Sequence, residues 1–465
     1  MAVSELLKAG ESGAAAGLAC AFSVTERYVS YTIDWLRPPR FFDTSPPEVS
    51  MQVCRAFVIG IAFLAVTLPA IAQNIKSRNL IPYLGELTAS NGEKGDAMGS
   101  SVAISGNTVV MSGDCDRSGG NPYCNTNHSG GMAYVFQMSQ SGWSNMTQVA
   151  ELTESDATGY DEFGWTVAID GDTVVVGAPG TGAAYVYVKP STGWANMTET
   201  AKLSTAFGYS EAGLSVAVGG GVIVLGAPNA EPAGGAYVFL EPRGGWSTRS
   251  QPNAELTGSD TSGGGGSFFG ASVSIEGNTI AVGATDTDVN LPGAVYVYVE
   301  PEGGWVNSTQ TAELTPSDGI LYEWFGFSVS IAGDSIAVGA PSDDVFPYDG
   351  AVYMFTRPSG GWVNMTETAK LTGSTGNLGW SVAASENTVV AGSFAENDSH
   401  GAAYVFARPS TGWASTSTPS TQLMAPFGEQ FGFSLGASGN VSVVGAPYTT
   451  VNSNPRQGAA FVFGN

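Results

Sequence analysis

The sequence predicts an all-β fold: a seven-bladed β-propeller of four-stranded antiparallel blades, closed by a strand from the N-terminal side of the domain. Three observations carry this. The composition is rich in glycine and poor in charge, one set of short motifs recurs seven times in register, and a spare strand motif before the first repeat matches one missing from the last.

Among 465 residues there are 63 glycines, and only 12% are charged. Abundant Val, Thr, Tyr and Phe with so much Gly is the make-up of short strands joined by tight turns. The charge is −24, from 17 basic and 41 acidic residues. Such a field repels phosphate backbones and anionic lipid, so nucleic acid and membrane surfaces are excluded as partners.

The N-terminal part is expected to lie outside the fold. Residues 51–72 contain Arg55, an apolar stretch over 56–68, and Ala70-Ile71-Ala72. This is the layout of a secretory signal peptide, with cleavage expected before Gln73. The apolar stretch is too short to span a bilayer and no second one follows, so no membrane span is expected in the mature chain. Residues 1–50 show no strand or helix period and carry Pro38-Pro39 and Pro46-Pro47, which reads as a non-native, disordered upstream extension before an initiator at Met51. Residues 73–83 read as a linker and 84–465 as the propeller.

The repeat opens on a glycine motif: Met98-Gly99, Phe163-Gly164, Ala212-Gly213, Phe269-Gly270, Phe325-Gly326, Leu378-Gly379 and Phe431-Gly432. Thirteen residues after each glycine comes Gly-Ala-Pro, as at Gly177, Gly226, Gly339 and Gly445, or a degraded form such as Ser112-Gly113-Asp114. An aromatic strand follows, as in AAYVYV (183–188) and AVYVYV (294–299). Six units then turn through Gly-Trp, at Trp143, Trp194, Trp246, Trp305, Trp362 and Trp413, into a strand such as AELT (150–153). From Gly99 to Gly432 the mean spacing is about 55 residues, the length of a four-stranded blade. Turns such as Asp170-Gly171-Asp172 and Glu276-Gly277-Asn278 join the first two strands, since Gly and Asn accept the positive φ of tight hairpins. The seventh unit ends after its third strand, whereas Glu86-Leu87-Thr88 precedes the first unit without a partner. Pairing of these residues with the strand at 459–463 is expected to close the ring and leave only short edges.

Taken in this order and number, F-G-x-S-V-A, G-A-P and G-A-x-Y-V-Y resemble the FG-GAP repeats of the integrin alpha-subunit propeller, which have relatives among exported bacterial proteins. The resemblance implies calcium loops of the form D-x-[DN]-x-D-G between the first two strands of some blades. Here those segments are two-residue turns, as in IDGDTV (169–174) and IEGNTI (275–280). A turn that short cannot wrap a cation needing six to eight oxygens. No cofactor is therefore expected, and calcium remains an option only at Asp286 and Asp288 or at Asp343, Asp344 and Asp349, which lack the full ligand pattern.

Ligand recognition is expected on the rim formed by the strand two–three and four–one loops, which vary in length while the opposite turns stay constant. That rim gathers Asp114 and Asp116, Asp156, Asp161 and Glu162, and Glu396 and Asp398, read either as a face for a cation or basic partner or as solvated loop acidity. Cys115 and Cys124, nine positions apart in one Gly/Asn-rich loop, read as a loop-stapling disulfide. The Gly-Trp residues read as packing groups rather than sugar platforms. The region after residue 72 has two histidines, His128 and His400, and no G-x-S-x-G or H-E-x-x-H, so no catalytic site is expected. The expected function is an exported binding or adhesion module for an unknown protein or glycan. The alternative is a carbohydrate-binding or carbohydrate-cleaving propeller using two acids of the variable rim.

Overall fold

The structure, a computed structural model, describes residues 81–113, 131–205, 210–259, 268–285, 293–319, 324–341, 350–373, 376–425 and 429–464. The chain divides into two compact units, Met1–Asn74 and Ile75–Asn465. The first, which holds the expected extension and signal peptide, lies outside the described residues. No helix among the described residues is long and apolar enough to cross a membrane.

Seven antiparallel sheets of four main strands follow one another, six of them with the strands in chain order. Blade one contains Met98–Ser105, Thr108–Gly113, Met132–Gln137 and Ala150–Thr153. In blade two the strands are Val167–Asp170, Thr173–Ala178, Ala183–Val188 and Ala201–Ser204, and in blade three Ser215–Gly219, Val222–Ala227, Gly235–Leu240 and Ala254–Thr257. Blade four has Phe269–Glu276, Thr279–Ala284, Ala294–Val299 and Ala312–Thr315; blade five has Ser328–Ala332, Ser335–Ala340, Ala351–Thr356 and Ala369–Leu371. Blade six has Val382–Ser385, Thr388–Ser393, Ala402–Ala407 and Thr421–Leu423. Blade seven takes Ser434–Ser438, Val441–Ala446 and Ala459–Gly464 from the C-terminal end, and its fourth strand is Tyr83–Thr88. Glu86 pairs with Phe461 and Leu87 with Ala460, antiparallel, as the spare motif predicts. First strands of successive blades, including those of blades seven and one, pack side by side around the axis.

Both faces of each blade are buried, which is why the second strands are near-continuous apolar runs instead of alternating ones. In blade one Val109 and Met111 pack with Val443 and Val462 of blade seven, while Val110 between them packs with Val174 and Val176 of blade two. Neighbouring residues of one strand thus serve opposite interfaces, as the two-residue period requires. Each such Val or Ile, fully removed from water, contributes about 1.5–3 kcal/mol before entropy is counted.

The paired glycine motifs have one cause. Gly270 has φ of +97° and presents its carbonyl to the preceding blade, where the Ser215 hydroxyl donates to it at 2.9 Å. That carbonyl lies against Gly226, where a Cβ would stand 2.1 Å from it. The glycine of one motif is therefore small because the glycine of the next blade's other motif is turned toward it. The serine bond recurs from Ser272 to Gly326 (2.7 Å), Ser381 to Gly432 (2.8 Å) and Ser434 to Gly99 (2.7 Å), the last across the closure.

Among the described residues a second link ties six of the seven outer edges to the next blade. The pairs Met146–Thr147, Met197–Thr198, Ser308–Thr309 and Met365–Thr366 add short parallel strands to the fourth strand of the blade before. The residue ahead of each accepts the backbone N–H of that edge. Asn145 accepts from Glu86 (3.0 Å), Asn196 from Glu151 (2.9 Å), Asn307 from Glu255 (2.9 Å) and Asn364 from Glu313 (3.0 Å). Hydroxyls replace the amide where Thr248 accepts from Lys202 (3.1 Å) and Ser415 from Lys370 (3.0 Å). These contacts are called clasps below.

The Gly-Trp residues are buried, with 4–9% exposure. Their packing partners include residues of the preceding blade. Trp305 lies in one cluster with Val222 and Val224 of the preceding blade, and Trp413 Nε1 donates to Ser335 Oγ of blade five at 3.1 Å. The indole plugs the gap between two blades, where it removes more apolar surface from water than one hairpin offers.

Candidate binding rim

The two ends of the ring are built differently. At the constant end, the residue opening a strand one–two turn accepts the Gly N–H of the next blade's turn. Ser105 binds Gly171 (3.1 Å), Asp170 binds Gly220 (2.9 Å), Glu276 binds Gly333 (2.6 Å) and Ser438 binds Gly106 (3.1 Å). The axial cavity at this end, about 530 Å³, is walled by Ile104, Ile169, Ile275 and Ile331 and edged by Asp170, Glu276 and Glu386. Arg408 of blade six forms a bidentate pair with Asp334 of blade five at 2.6 and 2.9 Å and holds that carboxyl down at about 2.

At the variable end every first strand is entered through a turn whose opening residue is left-handed. These are Ala97, Glu162, Glu211, Phe268, Trp324, Asn377 and Gln430, with φ between 42° and 68°. Three residues on, the side chain ahead of the motif serine differs from blade to blade. In blades five, six and seven it is Phe327, Trp380 and Phe433. The three meet across blade boundaries, with centroids 4.5 Å apart for Phe327 and Trp380 and 5.6 Å for Trp380 and Phe433. Trp324 stacks on Phe327 at 5.6 Å and 18°, and Phe394 lies 4.5 Å from Trp380. All five are half-buried, in contrast to Phe163, Phe269 and Phe325 of the F-G motifs, which are fully buried. The first-strand positions place this cluster at the axial mouth of the variable rim. Sequence reading passed over it because the position varies, although four of seven copies being large aromatics, Trp165 of blade two among them, was the available signal.

The acids expected on this rim divide into three groups. Asp114, Asp116, Asp286, Asp288, Asp343, Asp344 and Asp349 lie outside the described residues, as do Cys115, Cys124 and His128. A second group is engaged in the scaffold. Asp156 accepts from Tyr185 Oη (2.8 Å) and Lys202 Nζ (2.7 Å), with Lys202 over the Tyr185 ring; the lysine holds its carboxyl below the usual range. Blade five repeats this set with Asp318, Tyr353 and Lys370. Asp161 is 1% exposed and accepts from the Thr158 N–H and hydroxyl and from Gly159 N. Glu396 accepts from Tyr404 Oη with both oxygens, at 2.7 and 2.8 Å. Of the third group, Glu162 occupies the left-handed entry position of blade two, and Asp398 is exposed on the short helical turn Glu396–Ser399. Among the described residues no three Asp, Glu, His or Cys side chains converge as a metal site.

One acid that sequence reading missed is Glu154. Burial, then the charge of Asp161, pushes its carboxyl up to about 8, and its Oε2 is enclosed without a hydrogen-bond partner. His400 is exposed, its Nδ1 2.8 Å from the Asn397 carbonyl oxygen.

Seven four-stranded sheets in a closed ring, with glycines and serines interlocked between blades, define a β-propeller whose constant end serves the scaffold and whose variable end is free to differ. The FG-GAP repeat family matches at residues 84–136, 146–187, 252–298, 308–355 and 365–406, in five of the seven units. The chain belongs to the FG-GAP repeat family. Among solved structures it is similar to the Dos1 propeller, at 10% identity over 83% of this chain and 95% of that one, with a TM-score of 0.47. It is also similar to Sqt1 from Chaetomium thermophilum, at 15% identity over 83% and 90%, with a TM-score of 0.45. No curated protein matches the chain.

Proposed function

We propose that the chain is an exported, non-catalytic binding or adhesion module that takes a protein or glycan ligand at the variable rim. The observation that supports this most is the cluster of Trp324, Phe327, Trp380, Phe394 and Phe433. It joins half-buried aromatic rings from three blades at the axial mouth, on the end where loops differ between repeats. Rigid aromatic anchors ringed by variable polar loops are what recognition surfaces use. The buried Gly-Trp indoles are unavailable to stack on sugars, whereas the rings of this cluster are half-buried.

The test uses the full chain as bait against surface extracts and on a glycan array, beside Trp324→Ala and Gly244→Ala, a turn position with open space around it. Saturable binding that falls at least tenfold in Trp324→Ala and stays unchanged in Gly244→Ala supports the reading. Binding unaffected by Trp324→Ala moves the site off this cluster. Release of reducing ends from a bound glycan replaces the reading with the carbohydrate-cleaving alternative.

A further inference from the structure

The constant end repeats one turn around the axis, and blade six departs from it in both size and charge. Two residues before the turn glycine, the first strands of blades one, two, four and five carry Ile104, Ile169, Ile275 and Ile331. Blades six and seven carry Ala384 and Ala437 at that place. All six residues wall the axial cavity of about 530 Å³. Two alanines opposite four isoleucines leave space that a full ring of isoleucines would fill.

The charge departs at the same blade. Gly106, Gly171, Gly220, Gly277, Gly333 and Gly439 hold the turn position with φ between 55° and 61°. In blade six Glu386 stands there, without a left-handed φ, and borders the cavity. Among the described residues no hydrogen bond or ion pair engages its carboxylate. Ala332 of blade five offers the blade-six turn no side-chain acceptor, whereas Ser105, Asp170, Glu276 and Ser438 each accept from the turn that follows them. Asp170 and Glu276 edge the same cavity from blades two and four. Each is fixed by accepting a backbone N–H through one oxygen, from Gly220 at 2.9 Å and from Gly333 at 2.6 Å.

We propose that this cavity is a binding site, separate from the variable rim, for a primary aliphatic amine. The aliphatic stem lies against the isoleucine walls, where it leaves water, and the ammonium stays at the mouth between Glu386, Asp170 and Glu276. An apolar recess with a few convergent polar groups is the ordinary form of a small-molecule site. An ammonium brings three donors and no acceptor, which suits carboxylates placed on separate blades. Anions are repelled here by these groups and by the net charge of −24. A bare metal ion gains nothing from isoleucine. A lysine side chain would enter ammonium first and carry its charge past the carboxylates to the apolar wall, so the ligand is a free amine that enters tail first.

Isothermal titration of the full chain with hexylamine tests this, with hexanol for the stem without the charge and methylammonium for the charge without the stem. The expected result is saturable binding of hexylamine, weaker by at least about tenfold for both controls. Glu386→Gln removes the unengaged carboxylate, and Ala384→Ile fills the recess with the side chain that four other blades carry. Each should weaken hexylamine at least about tenfold, while Glu302→Gln, which removes the same charge from an exposed outer turn of blade four, should leave it unchanged. Hexylamine that does not saturate overturns the proposal. So does binding that survives Glu386→Gln, or that falls equally in Glu302→Gln, or that a blocked lysine peptide matches.

Discussion

Replacing Gly226 by alanine tests the interlock between the two glycine motifs. The new Cβ would stand 2.1 Å from the Gly270 carbonyl oxygen and 2.1 Å from Ser215 Oγ, far inside van der Waals contact, and the nearer group is backbone. Blades three and four must separate locally or Gly270 must turn away. Overpacking of this kind costs about 1–3 kcal/mol. The Ser215–Gly270 hydrogen bond at 2.9 Å is lost as well, at about 0.5–1.5 kcal/mol. The lower backbone entropy of unfolded alanine returns about 0.4–1 kcal/mol. The expected net loss is roughly 0.5–4 kcal/mol, centred on about 2. At about 2.1 cal/mol/K per residue, a propeller of this size unfolds with roughly 0.8 kcal/mol/K, so the melting temperature falls by about 1–5 °C, centred near 3 °C. Differential scanning calorimetry measures it, with Gly244→Ala as the matched control because nothing lies within 4 Å of its Cβ position. A Gly226→Ala protein melting within 1 °C of wild type would refute the interlock as the reason for these glycines.

Glu154, the lysine–aspartate pairs and the clasps yield four further predictions. The carboxyl of Glu154 titrates higher in the folded protein, at about 8 against 4.5, so the folded state holds the extra proton and stability falls as pH rises between those values. After discounting for its partial exposure the effect is about 1–2 kcal/mol, and Glu154→Gln should flatten the decline in melting temperature measured from pH 5 to 9. Asp156 and Asp318 shift the other way through Lys202 and Lys370. Lys202→Met should therefore lower the stability measured by chemical denaturation by about 0.5–1.5 kcal/mol at pH 7, with the loss shrinking as pH falls through the lowered carboxyl range. Asn196→Ala should cost about 1 kcal/mol in the same assay and speed exchange of the Glu151 amide. Peptide mapping should find Asn145, Asn196, Asn307 and Asn364 without glycan in folded material, although each stands in an Asn-x-Thr sequence, because each side chain is spent on the neighbouring blade.

The ring was legible in the sequence because every blade repeats the same constraint. A glycine thirteen residues from a glycine, with a serine two positions after the first, is a contact between neighbouring copies written in five of the seven units and in altered form in the other two. The closure was legible for the same reason, since the motif missing at one end stood at the other. What escaped were features that depend on the next blade. The two-residue parallel strands at Met146 and Met197 have no period to detect, and their asparagines look like surface turn residues until Glu86 and Glu151 are seen beside them. The variable-rim acids were overread in part. Asp156 and Glu396 look free in a loop, yet the hydroxyls of Tyr185 and Tyr404, which they accept from, are reached only through folding. Trp380 escaped because no single copy of its position announces an aromatic cluster. Only the ring brings Phe327 and Phe433 to it.

Phe461 and Glu86 are partners separated by nearly the whole domain. Blade seven is therefore incomplete until the last strand of the chain has been made, and the strand at Tyr83–Thr88, although synthesised first among the seven blades, waits for it. Contacts of such range form late and slowly. The ring can therefore close only after the strand Ala459–Gly464 has been made.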